Sequence, residues 1–148
     1  MNRQEMIAYA AGFFDGEGHI RISKHSTRGS YMLQITAVQA VRNPLPIFVE
    51  LFGGTISSRT GLSRGKPRAL YTWQASSASA ERALMELIPY LRGKQDEATL
   101  ALEFRKTFRA QFGDRSKMPD AVIAQRKEMK VQLEEMRAAK IKIGYALA

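Results

Sequence analysis

Asp15 and Glu17 stand two residues apart at the end of an apolar run, set among Gly12, Gly16 and Gly18. The run itself, residues 6–14, has helical composition, so both acids fall near a helix C-terminus. The macrodipole disfavours negative charge there by roughly 0.3–1 kcal/mol per group. Two readings account for the placement. The acids are solvated or paired with nearby arginines, or they serve a divalent cation whose charge reverses the local electrostatics. Lys94 shows the opposite misplacement. It follows Gly93 and falls in the first turn of another predicted helix, where a cation is disfavoured. From local physics alone it reads as an exposed lysine in an unfavourable place. Asp96 and Glu97 beside it are ordinary first-turn acids. His19 and His25 are possible metal ligands, but strand alternation sets them on a polar face, with His19 next to Glu17.

The elements that must position these residues are readable from periodicity. Residues 4–15 read as a helix ended by Gly16 and Gly18, and apolar on nearly every face, which predicts that it is buried. Residues 19–25 and 30–38 alternate, with Ile20, Ile22, Tyr31, Leu33 and Ile35 on one side and Arg21, Ser23, Met32, Gln34 and Thr36 on the other. A short helix between Asn43-Pro44 and Gly53-Gly54 carries Phe48 and Phe52. A second strand pair is predicted at 54–60 and 68–76 around a loop holding Gly61, Arg64, Gly65 and Lys66. Ala69, Tyr71 and Trp73 form its apolar side, and Leu70, Thr72 and Gln74 the other. Helices at 79–91 and 94–111 follow. Gly113-Asp114 breaks the chain, and Met118-Pro119-Asp120 opens a last helix with an apolar stripe of Val122, Met129, Leu133 and Met136, interrupted by Arg126 and Lys140. The order αββαββα predicts an α+β fold: a four-stranded antiparallel sheet backed by helices, with further C-terminal helices. One domain spans 1–148, with its core at about 5–110 and a helical extension at about 114–143.

Composition narrows the partners. Lys and Arg outnumber Asp and Glu by 23 to 14, a formal charge of +9, and a folded domain this basic points to nucleic acid. There is no cysteine, which rules out disulfides and thiolate zinc sites and fits an intracellular location: the cytoplasm of a prokaryote or phage-infected cell, or an organelle. The apolar run at 6–14 is too short to span a bilayer and lacks the form of a secretion signal, so no membrane partner is expected.

The segment Ala10-Ala11-Gly12-Phe13-Phe14-Asp15-Gly16-Glu17-Gly18, followed by His19-Ile20, resembles the motif that names the LAGLIDADG homing endonucleases. The family's leading Leu is Ala10 here, its Leu-Ile is Phe13-Phe14, and its last Asp is Glu17, changes that keep apolar and acidic character. The segment from Leu91 to Phe104 is similar to the stretch that carries a catalytic lysine in that family, which implies this role for Lys94. Residues 38–54 resemble the family's second helix with its Gly-rich exit. The resemblance covers about residues 5–110; the last helix matches no motif. It implies metal-dependent cleavage of double-stranded DNA with Mg2+ (or Mn2+), Glu17 and Gly16 as the metal site, and Glu17 and Lys94 as catalytic residues. A solvent-positioning polar group after the second strand maps onto Ala37 without gaps and onto Gln39 under another spacing, so Gln39 is carried as a third catalytic candidate.

In this family two motif helices pack together. One motif is present here, so the resemblance implies a homodimer joined through Ala8, Gly12, Asp15 and Gly16. It also implies a long pseudo-palindromic site cut to short 3′ overhangs, as in intron homing. The polar sheet face supplies the DNA-binding candidates: Arg21, Ser23, Lys24, Arg28, Met32, Gln34, Thr36, Arg59, Arg64, Lys66, Arg68, Thr72 and Gln74. The competing expectations are a relative that binds DNA or RNA without cutting (a regulator or an intron maturase) and a basic protein-interaction domain with no use for paired acids.

Overall fold

In a computed structural model, residues 1–25, 30–108 and 118–147 are described. Helix α1 spans Arg3–Glu17. Its start is a capping box that the sequence reading missed: the Glu5 amide donates to Asn2 Oδ1 at 2.9 Å, and the Asn2 amide to Glu5 Oε2 at 2.8 Å. Strands β1 (Gly18–Lys24) and β2 (Tyr31–Gln39) form the first hairpin. Helix α2 (Pro46–Phe52) leads into β3 (Thr55–Ser63) and β4 (Lys66–Ser76). Helix α3 (Ser77–Leu87) is followed by a 3-10 turn at Ile88–Tyr90, then α4 (Gln95–Lys106) and α5 (Asp120–Leu147). The expected α+β architecture is present.

The sheet order is β1-β2-β4-β3, antiparallel throughout, with β2 and β4 in the centre. One face is packed on the helices. Ile20, Ile22, Leu33, Ile35, Ala37, Trp73 and Ala75 are buried there against Phe14, Phe48, Leu84, Leu87 and Phe104. Trp73 anchors the joint between α2 and the sheet. Its ring lies 4.7 Å from Phe48 between centroids, and its Nε1 donates to Gly53 O at 2.9 Å. Burying an indole with its N–H partnered keeps both the apolar gain and the hydrogen bond. Gly54 beside it has φ +85°, and a Cβ there would sit 2.4 Å from Gln74 O, so no other residue fits.

Several expectations need correction. The loop assigned to residues 61–66 is largely ladder: Gly61 pairs with Arg68, Leu62 with Pro67 and Ser63 with Lys66. Only Arg64 and Gly65 turn, both at positive φ (53° and 76°), the requirement of a tight two-residue hairpin. This end of the hairpin overhangs the core, so Ala69, assigned to the apolar face, is exposed. Gly16 does not end α1; the helix runs through it, and Gly18 caps it in extended conformation. Nor is α1 buried all round. Ile7, Ala10, Ala11 and Phe14 are buried, whereas Ala8, Tyr9, Gly12 and Gly16 are exposed. The helix assigned to 79–91 yields to a 3-10 turn at Pro89, because proline cannot donate its amide to a continuing α-helix. The helix assigned to 94–111 ends at Lys106, and Gly113-Asp114 lies outside the described residues.

The last helix corrects another expectation. Arg126 and Lys140 do not interrupt its packing stripe; they belong to it. Leu133, Arg137 and Lys140 follow Arg126 at about two, three and four helical turns, so all four share one face. Leu133 is buried in the core. Arg126, 1 % exposed, donates to Thr107 Oγ1 at 2.9 Å and Thr107 O at 3.1 Å, and its guanidinium lies 3.7 Å from the centroid of the Phe108 ring. These contacts fix the start of α5 to the end of α4. Among the described residues no helix is long and apolar enough to cross a membrane.

Candidate active site

The C-terminus of α1 leaves backbone carbonyls without intrahelical partners. The segment just before α4 comes to meet it. Asp15 accepts three backbone N–H groups there: Arg92 to Oδ2 at 2.7 Å, and Gly93 and Lys94 to Oδ1 at 3.0 Å each. Successive amides converging on one carboxylate form an anion nest. The Lys94 ammonium returns the contact by donating to the Asp15 backbone carbonyl. The acid at a helix end and the lysine at a helix start, each unfavourable alone, are therefore partners. Asp15 needs no cation to explain its place, and its carboxylate is committed within its own chain.

Glu17 differs. It is exposed, and it makes no hydrogen bond or ion pair among the described residues. A bare carboxylate at the negative end of a helix offers hard oxygen to a divalent ion, together with the backbone of Gly16. Among the described residues no three His, Asp or Glu side chains cluster as a ready-made metal site. A divalent ion at Glu17 would therefore draw further oxygens from a second chain, water or a phosphate. The donor chemistry fits such an ion; the donor count within one chain does not complete a shell.

Beside Glu17, His19 lies in a cluster of cations. Burial holds its imidazole below the ordinary 6.5, helped by the charges of Arg137, Arg21 and Lys94, so it is neutral at neutral pH. Arg137, from α5, donates to the Ile20 carbonyl on β1. Gln39 stands at the same end of the sheet, two residues past the Gly18–Ala37 pair, but on the helix-side parity; its side-chain carbonyl accepts from the Ala40 amide at 2.8 Å. No hydrogen bond joins Gln39 to Glu17 or Lys94 among the described residues.

The sheet face away from the helices carries most of the expected DNA-binding set. Cross-strand pairing places Arg21 beside Gln34, with Nη2 to Oε1 at 2.5 Å, and Ser23 beside Met32. It also places Thr36 beside Gln74, and Arg59 beside Leu70. Thr72, Arg68 and Lys66 continue the same face towards the overhanging turn at Arg64. Lys24 falls on the other parity, with Ile20 and Ile22, at the strand end. Arg28 lies outside the described residues. Thr55 and Ser57 share the face with Arg59 and were missed, although the alternation that selected Arg59 would have found them. The four strands hold Arg21, Lys24, Arg59, Lys66 and Arg68 and no Asp or Glu at all. Among the described residues the acids are confined to helices and connections, and Glu17 stands next to the sheet's first residue.

A fold so built also occurs in solved structures. The chain superposes on the homing endonuclease I-CvuI in complex with the I-CreI target in the presence of Mg, with DNA not cleaved: TM-score 0.70, 23% identity, 89% of this chain and 82% of that one. I-CvuI with its own target and Ca gives TM-score 0.60 at 19% identity over 89% and 96%. The fold is that of the LAGLIDADG homing endonucleases. The LAGLIDADG homing endonuclease I-GzeII, in complex with its DNA target, matches at TM-score 0.61 and 18% identity, over 82% of this chain but 41% of that one. No protein-family model and no curated protein matches the sequence. On this fold, α1 carries the segment that resembles the family's motif, and the four-stranded sheet begins at its end.

Proposed function

We propose that this chain is a site-specific double-strand DNA endonuclease that works as a homodimer and requires a divalent metal. The observation that carries the reading is Glu17: an exposed, uncommitted carboxylate at a helix end, next to a basic sheet without acids. The neighbours on this fold are described as homing endonucleases in DNA complexes, two of them with Mg or Ca.

The exposed face of α1 supports the dimer. Gly12 and Gly16 lie four apart on it, and a Cβ at either would meet nothing within 4 Å among the described residues. Glycine inside a helix costs roughly 0.5–1 kcal/mol relative to alanine, and no contact among the described residues requires it here. A second α1 backbone approaching closely along Ala8, Gly12 and Gly16 would require it. In I-GzeII the match occupies under half of the chain, which leaves room for a second such unit. Pairing two copies brings two Glu17 carboxylates together and doubles the basic sheet along a pseudo-palindromic duplex.

Mg2+ or Mn2+ would be held by Glu17 with the backbone of Gly16. When bound, it lowers the pKa of an attacking water and stabilises the leaving oxygen. The chain's own residues do the rest. Lys94 sets a positive charge beside the scissile phosphate. Asp15 holds the segment that carries Lys94. The outer sheet residues from Arg21 to Gln74 bind backbone and read base edges in the major groove. Cleavage across the minor groove leaves short 3′ overhangs, and intron homing inside a cell is the setting such an activity serves.

The test is selection of cleaved sites from a randomised duplex library in Mg2+, beside Glu17→Gln and beside wild type in Ca2+. Discrete cuts at one near-palindromic site, lost in the variant and in Ca2+ while binding survives, support the proposal. Specific binding with no cuts under any divalent ion refutes cleavage and leaves a regulator or maturase, with RNA as the next ligand.

A further inference from the structure

The segment that carries Lys94 is gripped from two sides. From α1, Asp15 takes the amides of Arg92, Gly93 and Lys94. From α5, Lys140 Nζ donates to the Gly93 carbonyl at 2.7 Å and to Asp96 Oδ1 at 2.5 Å, with the buried Glu97 Oε2 at 3.8 Å. The Gly93 carbonyl and the Lys94 amide belong to the same peptide unit. That plane is therefore pinned at both ends, by an anion on one side and a cation on the other. A peptide plane has two soft torsions beside it, and Gly93 restrains the chain less than any other residue would. Fixing the plane fixes the frame from which the Lys94 side chain departs.

Lys140 is itself held in place. One turn earlier Arg137 donates to the Ile20 carbonyl on edge strand β1, three residues past Glu17. Leu133 is buried in the core, and Arg126 ties the helix start to Thr107. The stripe on α5 thus indexes Lys140 against the strand that begins beside Glu17. We infer that Lys140 is a positioning residue for Lys94 and that α5, whose sequence carries no recognised motif, is part of the cutting machinery and not an appendage. This rests on the endonuclease reading.

The experiment compares Lys140→Met, Lys140→Arg, Lys94→Met and the Lys94→Met/Lys140→Met double variant. Single-turnover cutting of the selected duplex is measured with enzyme in excess, and affinity for the same duplex in Ca2+. The Lys140 side chain is 40% exposed but faces the buried Glu97, so urea unfolding of each variant accompanies the kinetics, and Lys140→Arg keeps the charge that Glu97 meets. Expected is a loss of tenfold or more in cutting rate for Lys140→Met, affinity within about twofold of wild type, and most of the rate recovered in Lys140→Arg. The double variant cuts no more slowly than Lys94→Met alone, because a positioning residue has nothing left to position. An unchanged rate at saturation, a loss confined to affinity, or a double variant slowed by the full factor again overturns the inference. Amide exchange separates its failure from that of the reading beneath it. Should wild type cut no DNA, the endonuclease reading falls, while the Arg92, Gly93 and Lys94 amides still report the grip. Their protection drops tenfold or more in Lys140→Met if Lys140 fixes the segment, and unchanged protection overturns that.

Discussion

Asp15→Asn and Glu17→Gln remove the same charge from positions two residues apart, and their effects on stability are expected to differ in sign. Asp15 accepts three backbone N–H groups at 2.7–3.0 Å. Hydrogen bonds to a charged group contribute about 1.5–3 kcal/mol each when sheltered. These lie near solvent, which lowers the total to about 2 kcal/mol. Asparagine keeps one acceptor and turns an NH2 towards the remaining donors, so most of that is lost. Relief of the helix-end repulsion returns about 0.5 kcal/mol. The net expectation is a loss of about 1–1.5 kcal/mol, or about 2–6 °C in Tm for a chain of this size. Glu17→Gln has only the repulsion to relieve and should gain a few tenths of a kcal/mol, about 0.5 at most. The assay is urea unfolding near neutral pH in chelator, at one protomer concentration because association shifts apparent stability. Loss of stability in both variants by the same amount, or a change under about 0.5 kcal/mol for Asp15→Asn, would refute the division of labour between the two acids.

Gly12→Leu should leave the fold intact, since a Cβ there meets nothing among the described residues, yet convert a dimer to monomers by sedimentation and abolish cutting. A dimer that survives the leucine rules out close packing along this helix face. His19 has a folded pKa below 6.5, so between that value and 6.5 the unfolded chain binds the proton the folded chain refuses. Stability should therefore fall as pH drops through 6.5, and His19→Gln in metal-free buffer should flatten that slope; parallel pH profiles from about pH 8 to about pH 5 would contradict it. Trp73→Phe forfeits the hydrogen bond to Gly53 and part of the packing on Phe48, and should cost about 2–3 kcal/mol in urea unfolding with m unchanged.

The sheet was legible because a strand alternates with period two and one face is buried. Ile20, Leu33, Ile35 and Trp73 announced that face. The overhanging hairpin was not legible, because Gly61, Gly65 and Pro67 read locally as a loop while ladder pairing outside the core leaves no hydrophobic signature. Glu17 and Lys94 could be found from their electrostatically awkward places. Why Asp15 and Lys94 tolerate those places could not, since the answer is a contact between residues 77 to 79 positions apart. Arg126 and Lys140 misled for the same reason. A cation on a packing stripe looks like an interruption until the carbonyls it meets on other elements are known. The exposed side of α1 reads as core in sequence, and within one chain it is surface.

The overhang of β3 and β4 carries a further consequence. Residues from Arg59 to Ala69 stand clear of the core, whereas Thr72 and Gln74 lie on stretches whose reverse side holds Trp73 and Ala75 in it. Exposed substitutions away from packing usually shift stability by less than about 0.5 kcal/mol. Under the proposed function, the turn end of the sheet is where recognition can drift between lineages, or be redesigned, without endangering the fold. The stretch over the core is where each change of target must first survive folding. One sheet would thus hold a variable half and a conservative half, and a library built for new targets should start from Arg59, Arg64, Lys66 and Arg68.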